Sequence, residues 1–276
     1  MNKKHFNYKA FILKNLVRLS AALTFSTLIF IVVYILVKGV PYLTPSLFAL
    51  EYNSTNVSLM PALLSTLAMT LLALAISVPI GIATAIYLVE YAKRGNKLVE
   101  IIRITAETLS GIPSIVYGLF GMIFFVTYLD FGYSLLSGAL TLAIMILPLI
   151  MRTTEEALKS VPDTFREASF GLGAGKLRTI FKVVLPSAVP GILAGVILGV
   201  GRIVGETAAL IYTAGTVAQL PDGVFSSVRT LSVHMYVLSG EGLHINQAYA
   251  TAVVLLLIVL IINTLSGFFA KKITAR

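Results

Sequence analysis

The sequence predicts an all-α polytopic membrane protein with six transmembrane helices, and three observations carry that prediction. Of its 276 residues, 57% are hydrophobic and only 12% are charged, about half the charge of an ordinary soluble domain. The apolar residues fall into runs long enough to cross a bilayer, which takes about 20 residues per helix. The basic residues are sorted to one side. Of the 21, 18 lie in the N-terminal segment, the second and fourth connectors, and the tail, which is the bias that sets membrane orientation.

The spans read as 17–37, 61–90, 112–129, 134–151, 187–213 and 247–270. The first follows Lys3, Lys4, Lys9, Lys14 and Arg18, and its run from Phe25 to Val37 leads into Lys38-Gly39-Val40-Pro41. No small-residue cleavage site is present there, so a retained anchor is expected rather than a signal peptide. Pro79 with Gly81 in span two, and Pro148 in span four, are candidate kinks; the backbone groups they release need neighbours or a cavity. Span three opens on Ser110-Gly111-Ile112-Pro113 and carries Gly118 and Gly121, so a close backbone approach is expected along it.

By the positive-inside rule both termini and the connector between spans four and five face the cytoplasm. The chain then divides into a cytoplasmic N-terminal segment 1–16, a first helix with its outer loop 17–60, a transmembrane domain 61–270 holding a cytoplasmic loop 152–186, and a cytoplasmic tail 271–276. The outer loops 38–60 and 214–246 are rich in Gly, Pro, Ser and Asn, and serve either as docking loops for an external partner or as plain connectors. The third outer connector, Asp130 to Tyr133, is a tight turn.

Composition also excludes classes. There is no cysteine, hence no disulfide framework and no thiolate metal site. His5, His234 and His244 match no metal spacing, and the last two are expected to be polar surface residues of a loop. The net charge of +9 lies in the connectors as topology demands, so it does not argue for nucleic acid.

The stretch from Glu167 to Pro186, EASFGLGAGKLRTIFKVVLP, is a polar, basic island between apolar spans. Ser160-Val161-Pro162-Asp163 reads as a helix start, with Ser160 as N-cap, an acid three residues on and proline in the first turn. That helix ends at Gly171, Gly173 and Gly175, which tolerate left-handed backbone. A second, basic helix from about Lys176 runs into Pro186 and span five. Helix, glycine turn and helix make a stiff knob at the membrane face. The spacing Glu167-Ala168-Ser169, three residues, Gly173, nine residues, Val183, one residue, Leu185-Pro186 resembles the coupling loop of ABC-transporter permeases. The resemblance implies the type I importer permease fold with a cytoplasmic coupling helix, and assigns ATPase coupling to Glu167, Ala168, Ser169, Gly173, Leu185 and Pro186.

Arg202 and Glu206 are the informative residues of span five. They fall 16 and 20 residues past Pro186, about 24 and 30 Å along an ideal helix, in the outer half of the membrane. A charge there costs at least about 2.5 kcal/mol and must face a partner or water; four residues apart, the two can neutralise each other. On a continuous helix, Gly191, Gly195, Gly199, Arg202, Glu206, Ala209 and Thr213 share one stripe within about 80°. That stripe is expected to face the pathway between two permease halves. The glycines would let the cytoplasmic end close, Arg202 would meet an anion with its planar fork of donors, and Glu206 would balance it. The plain alternative is a structural ion pair between helices.

The run Gly201-Arg202-Ile203-Val204-Gly205-Glu206-Thr207-Ala208 is similar to the Gly-Arg-x-x-Gly-Glu-Thr phrase of phosphate ABC permeases, where the arginine and glutamate are implicated in translocation. Leu147 to Leu158, and Ser232 through Tyr249-Ala250-Thr251-Ala252, extend the likeness over about 60–270 to the PstA-type branch. It implies a bacterial inner-membrane importer of inorganic phosphate in which this chain forms half of the pathway. The other parts are a PstC-type second permease, two ABC ATPase subunits that bind ATP and Mg, and an external phosphate-binding protein.

The chain itself is expected to hold no cofactor and to hydrolyse nothing. Its nearest phosphate-loop lookalike, Gly171 to Lys176, lacks the first glycine and the hydroxyl residue and follows a helix. Sulfate or molybdate permeases, an ion-coupled secondary anion transporter, and a non-transporting sensor subunit are the competing readings.

Overall fold

A computed structural model describes residues 8–93 and 95–274. The first seven residues, with Lys3, Lys4 and His5, lie outside the described residues, as do Arg94 and the final two residues with Arg276. Among the described residues there is helix, turn and loop and no strand. Five helices are long and apolar enough to cross a membrane, and a bent pair makes a sixth candidate.

The order is α1 (Tyr8–Gly39), α2 (Met60–Ile86, continued by a π turn Tyr87–Tyr91), α3 (Lys97–Ser110), α4 (Ser114–Gly121, continued by a π turn Met122–Tyr128), α5 (Leu135–Lys159), α6 (Asp163–Gly171), α7 (Lys176–Thr179), α8 (Leu185–Val204), α9 (Ala208–Ile211), α10 (Leu231–Glu241) and α11 (Ile245–Thr274). A π turn at Ile180–Val184 joins α7 to α8, so Lys176–Val204 is one span.

α5 is the enclosed centre. On one half Leu142, Met145 and Ile146 pack with Met69 and Ala73 of α2 and with Tyr117, Ile203 and Leu210. On the other, Met151, Ala157 and Leu158 meet Ala85, Val99, Ala188 and Ile192. Several hydroxyls in these buried faces are satisfied locally. The hydroxyls of Thr66, Thr70 and Ser77 donate to carbonyls four residues back at 2.7–2.8 Å, the economical solution where no water can reach. Gly81 brings α2 onto α5, since a Cβ there would sit 2.8 Å from Cγ2 of Ile150. α1 stands apart, many of its hydrophobic side chains exposed; it approaches α11 closely at Gly39 and at the Tyr34–Tyr249 ring pair, 5.8 Å between centroids.

Several expectations need refinement or correction. Span three runs from Ser114 to Tyr128, close to the expected 112–129, but what precedes it is not a plain connector. The preceding basic connector is itself the amphipathic helix α3, capped by Asn96, whose side chain accepts from the Leu98 N–H at 3.0 Å. It meets α4 at a bend of 102°, with Gly111-Ile112-Pro113 at the corner, because proline disfavours helix in the residue before it.

Span five stops at Val204, with Gly205 as its C-cap. Ser160 is not an N-cap: it ends α5, its hydroxyl donating to the Ala157 carbonyl at 2.7 Å, and α6 starts at Asp163 behind Pro162. The loop 214–246 contains α10, and His234 on it is fully buried rather than a surface residue. The sequence there alternates too little to show a helix, and burial comes from α2, α9 and α11 closing around it.

His234 packs edge-on against Tyr52 and lies 3.3 Å from the Arg229 guanidinium through Nδ1. Burial first, and the Arg229 charge second, lower its pKa from 6.5 to about 4. The folded state therefore holds it neutral while the unfolded chain protonates it below about 6.5. The stability this contributes is complete above that value and lost as pH falls towards 4, a change of about 3 kcal/mol. Thermal unfolding of the purified protein between pH 7 and pH 4.5 checks it: the melting temperature should fall, and His234→Gln should flatten that fall.

Candidate functional site

The knob between α5 and α8 is built as a helical hairpin. α6 closes in a glycine cap: the N–H groups of Leu172, Gly173 and Ala174 donate to Ala168, Phe170 and Ser169, and Gly173 takes φ +82°, which costs a side-chain-bearing residue about 1 kcal/mol or more. The Ser169 hydroxyl lies 2.8 Å from that of Thr179, tying α6 to α7. Glu167, Ala168 and Gly173 are exposed, and Ser169 is half-buried by its bond. Leu185 and Pro186 stand where the π turn gives way to α8. Around them Phe170, Leu177 and Leu172 are exposed, Leu172 by 89%. Apolar side chains on a basic, solvent-facing hairpin make a surface fitted to another protein.

Arg166, which the spacing motif omits, anchors the knob. Its guanidinium donates to Glu90 Oε1 at 2.8 and 3.1 Å, to the Leu158 and Val161 carbonyls at 3.0 and 2.8 Å, and to Asp163 at 3.2 Å. The signal in the sequence was slight: an acid at the end of span two and an arginine 76 residues later. Beside it Glu155, 6% exposed, takes Arg103 at 2.7 Å and Lys159 at 2.6 Å. These line a cavity of about 220 Å³ with Glu107, Arg152 and Glu156. Its six charges balance one another, so it is a clasp between α3 and α5 rather than a ligand site.

Arg202 and Glu206 do not form the expected pair. α8 ends between them, and Glu206 turns away to cap α9, its Oε1 accepting from the Ala209 N–H at 3.0 Å. Its carbonyl accepts from the Ser232 hydroxyl, and the residue is 8% exposed. Gly205 before it and Thr207-Ala208 after it were the available signs of a helix stop and restart. Arg202 occupies the last turn of α8, where a cation suits the helix dipole. It is half-buried, its charge acts on the Tyr117 hydroxyl, and among the described residues it has no ion-pair or hydrogen-bond partner.

The glycine stripe also lies differently. A Cβ on Gly191 would sit 2.7 Å from Cβ of Ala157, one on Gly195 2.6 Å from Cβ of Thr153, and one on Gly199 3.3 Å from Cδ1 of Ile150. All three neighbours belong to α5 of this same chain, so the stripe seats α8 on α5 instead of lining a passage between two halves. Ala209 and Thr213 belong to a second seam, against Gly118 and Gly121 of α4, with Ala209 Cα only 2.8 Å from a Cβ on Gly118. Gly111 makes no comparable approach; it belongs to the bend.

The family model described as "Binding-protein-dependent transport system inner membrane component" matches residues 77–276. A Bacillus subtilis protein, "Probable ABC transporter permease protein YqgI", is 34% identical over 94% of this chain and 95% of its own length. "Phosphate transport system permease protein PstA 1" of Mycobacterium tuberculosis H37Rv is 34% identical over 78% of this chain and 70% of its own. Among solved structures, a bacterial alginate ABC transporter in complex with its pentasaccharide-bound periplasmic protein superposes with a TM-score of 0.71 at 14% identity, over 97% of this chain and 96% of that one. The MetNI methionine ABC transporter gives 0.60 at 20%, over 78% and 93%. At those identities the two structures speak for the fold.

Proposed function

Because the chain belongs to the family of binding-protein-dependent transport system inner membrane components, we propose that it is one permease half of an ATP-driven importer of inorganic phosphate. The observation that carries the substrate is Arg202: a half-buried guanidinium near the end of a membrane-spanning helix, with no ion-pair partner among the described residues. An uncompensated cation at that depth is costly unless it meets a mobile anion or water, and guanidinium matches the tetrahedral oxygens of phosphate with paired donors. The PstA 1 relative favours the same anion. Glu206 acts indirectly in this reading, fixing the chain that leaves α8.

The knob faces the cytoplasm with both termini and takes an ABC ATPase subunit. Glu167, Ala168, Ser169 and Gly173 form the gripped end, and Leu185-Pro186 is its junction with the span. ATP and Mg bind to the ATPase pair, a second permease of PstC type completes the passage, and an external binding protein delivers phosphate to the opposite side. The test is labelled-phosphate uptake by the reconstituted complex. Uptake should require ATP, yield to arsenate, and resist sulfate and molybdate. Uptake that persists without ATP and collapses with an ion gradient would overturn the reading.

A further inference from the structure

The contacts of Arg166 extend well beyond the knob. α6 is too short to be held by its own hydrogen bonds, and its exposed face offers no packing. Besides the Ser169–Thr179 bond to α7, it is held by the Arg166 guanidinium, which reaches the carbonyls of Leu158, in the last turn of α5, and of Val161, just beyond it, and also Glu90 in the turn that continues α2. Both side chains are largely enclosed, Arg166 14% and Glu90 9% exposed. An ion pair so placed is hard to break from the side of Arg166, because Glu90 alone would be a buried charge without its partner.

α2 runs from that pair to the opposite end of the molecule. There the Thr66 hydroxyl oxygen accepts from the Leu231 N–H at 2.8 Å, at the start of α10. The neighbouring Ser232 hydroxyl donates to the Glu206 carbonyl, and Glu206 caps α9 immediately beyond Arg202. Knob, ion pair, helix, and the rim beyond Arg202 are thus joined by bonded contacts through α2, a path separate from α8, which runs from the knob directly to Arg202.

We infer that the Arg166–Glu90 pair is a positioning link that couples knob movement to α2 and, through the α10 contacts of α2, to the rim beside Arg202, in parallel with α8. The inference rests on the reading of the knob as the ATPase-facing loop. α5 and α8 hold the knob as well, α5 through the carbonyls that Arg166 reaches and α8 by direct continuation. Removing Glu90 alone therefore leaves the knob seated on α5 and detached from α2.

The experiment uses the whole transporter in liposomes and reads two quantities: the ATPase subunits retained on purification, and phosphate taken up per ATP hydrolysed. Glu90→Ala should keep the ATPase subunits bound, yet lower uptake per ATP by about tenfold, within the range usual for coupling between sites. Glu90→Gln, which still offers the guanidinium an oxygen, should restore most of the ratio. A merely structural role would reduce the amount of complex and leave the ratio unchanged, and that result overturns the inference. Should Glu90→Ala not assemble, Arg166→Lys is read in the same way. Its single ammonium cannot serve the carboxylate and both carbonyls together, so an unchanged ratio there is equally fatal. A wild-type complex that retains no ATPase subunits would instead sink the functional reading, and this inference with it.

Discussion

Arg202→Ala will stop phosphate uptake while leaving the complex assembled and as heat-stable as wild type. The two halves of that result come from one geometric fact. Arg202 has no acidic or hydrogen-bonding partner among the described residues, so its removal orphans nothing, and stability should shift by no more than about 0.5 kcal/mol. Were the residue half of a structural ion pair, the same change would cost about 3–5 kcal/mol, because a carboxylate would be left buried and alone. The two readings therefore part on a melting curve, before any transport is measured. Arg202→Lys sharpens the assay: it preserves charge but not the planar fork, and uptake should fall without vanishing. Normal uptake by Arg202→Ala would falsify the assignment.

Gly195→Leu should have the largest effect on stability. Even the first carbon of a side chain at that position would stand 2.6 Å from Cβ of Thr153, closer again to its hydroxyl, and a Cβ cannot rotate out of the way. α8 would have to lift from α5 along the seam that Gly191 and Gly199 share. Overpacking of this kind costs about 1–3 kcal/mol in a core with room to adjust, and α5 is the span with least room, fully enclosed at Ile146 and Ile150. Purified Gly195→Leu should be recovered at a small fraction of the wild-type amount. Gly195→Ala is the milder probe: its melting temperature should drop, and Thr153→Gly in the same chain should recover it by making space on the facing helix. Failure of that second change to help would mean that α8 does not rest on α5 through Gly195.

Much of this was legible in the residues, for physical reasons that differ by element. Apolar runs report directly on hydrocarbon, so the candidate spans followed, five helices and the bent pair as a sixth. The knob followed too, since the glycines and charges from Glu167 to Lys182 cannot lie in lipid. What failed in span five was the reading that needed its helix to continue past Val204. The wheel that aligned Gly191, Arg202, Glu206 and Thr213 assumed one helix where the chain stops at Val204 and resumes at Ala208. Hydropathy does not register that break, because Gly205 and Thr207 are tolerated in both states.

The glycine stripe was real as packing, but a sequence cannot say which neighbour a smooth face meets; here it meets α5. His234 was misplaced for a similar reason. A histidine becomes interior only when distant segments enclose it, in this case Tyr52 and Arg229. The Arg166–Glu90 contact, spanning 76 positions, left no local trace at all.

α1 touches the rest of the bundle chiefly along α11, with Gly39 as its tight point. Its stretch free of charge, Leu19 to Val37, is about 28 Å long at 1.5 Å per residue, close to the thickness of a bilayer interior. A helix held at one edge, with its other side chains exposed, can lean. When the surrounding membrane thins or thickens, the mismatch, a fraction of a kcal/mol per ångström, can be absorbed by the tilt of this one outrigger. The rest of the transporter would then keep its alignment as lipid composition changes.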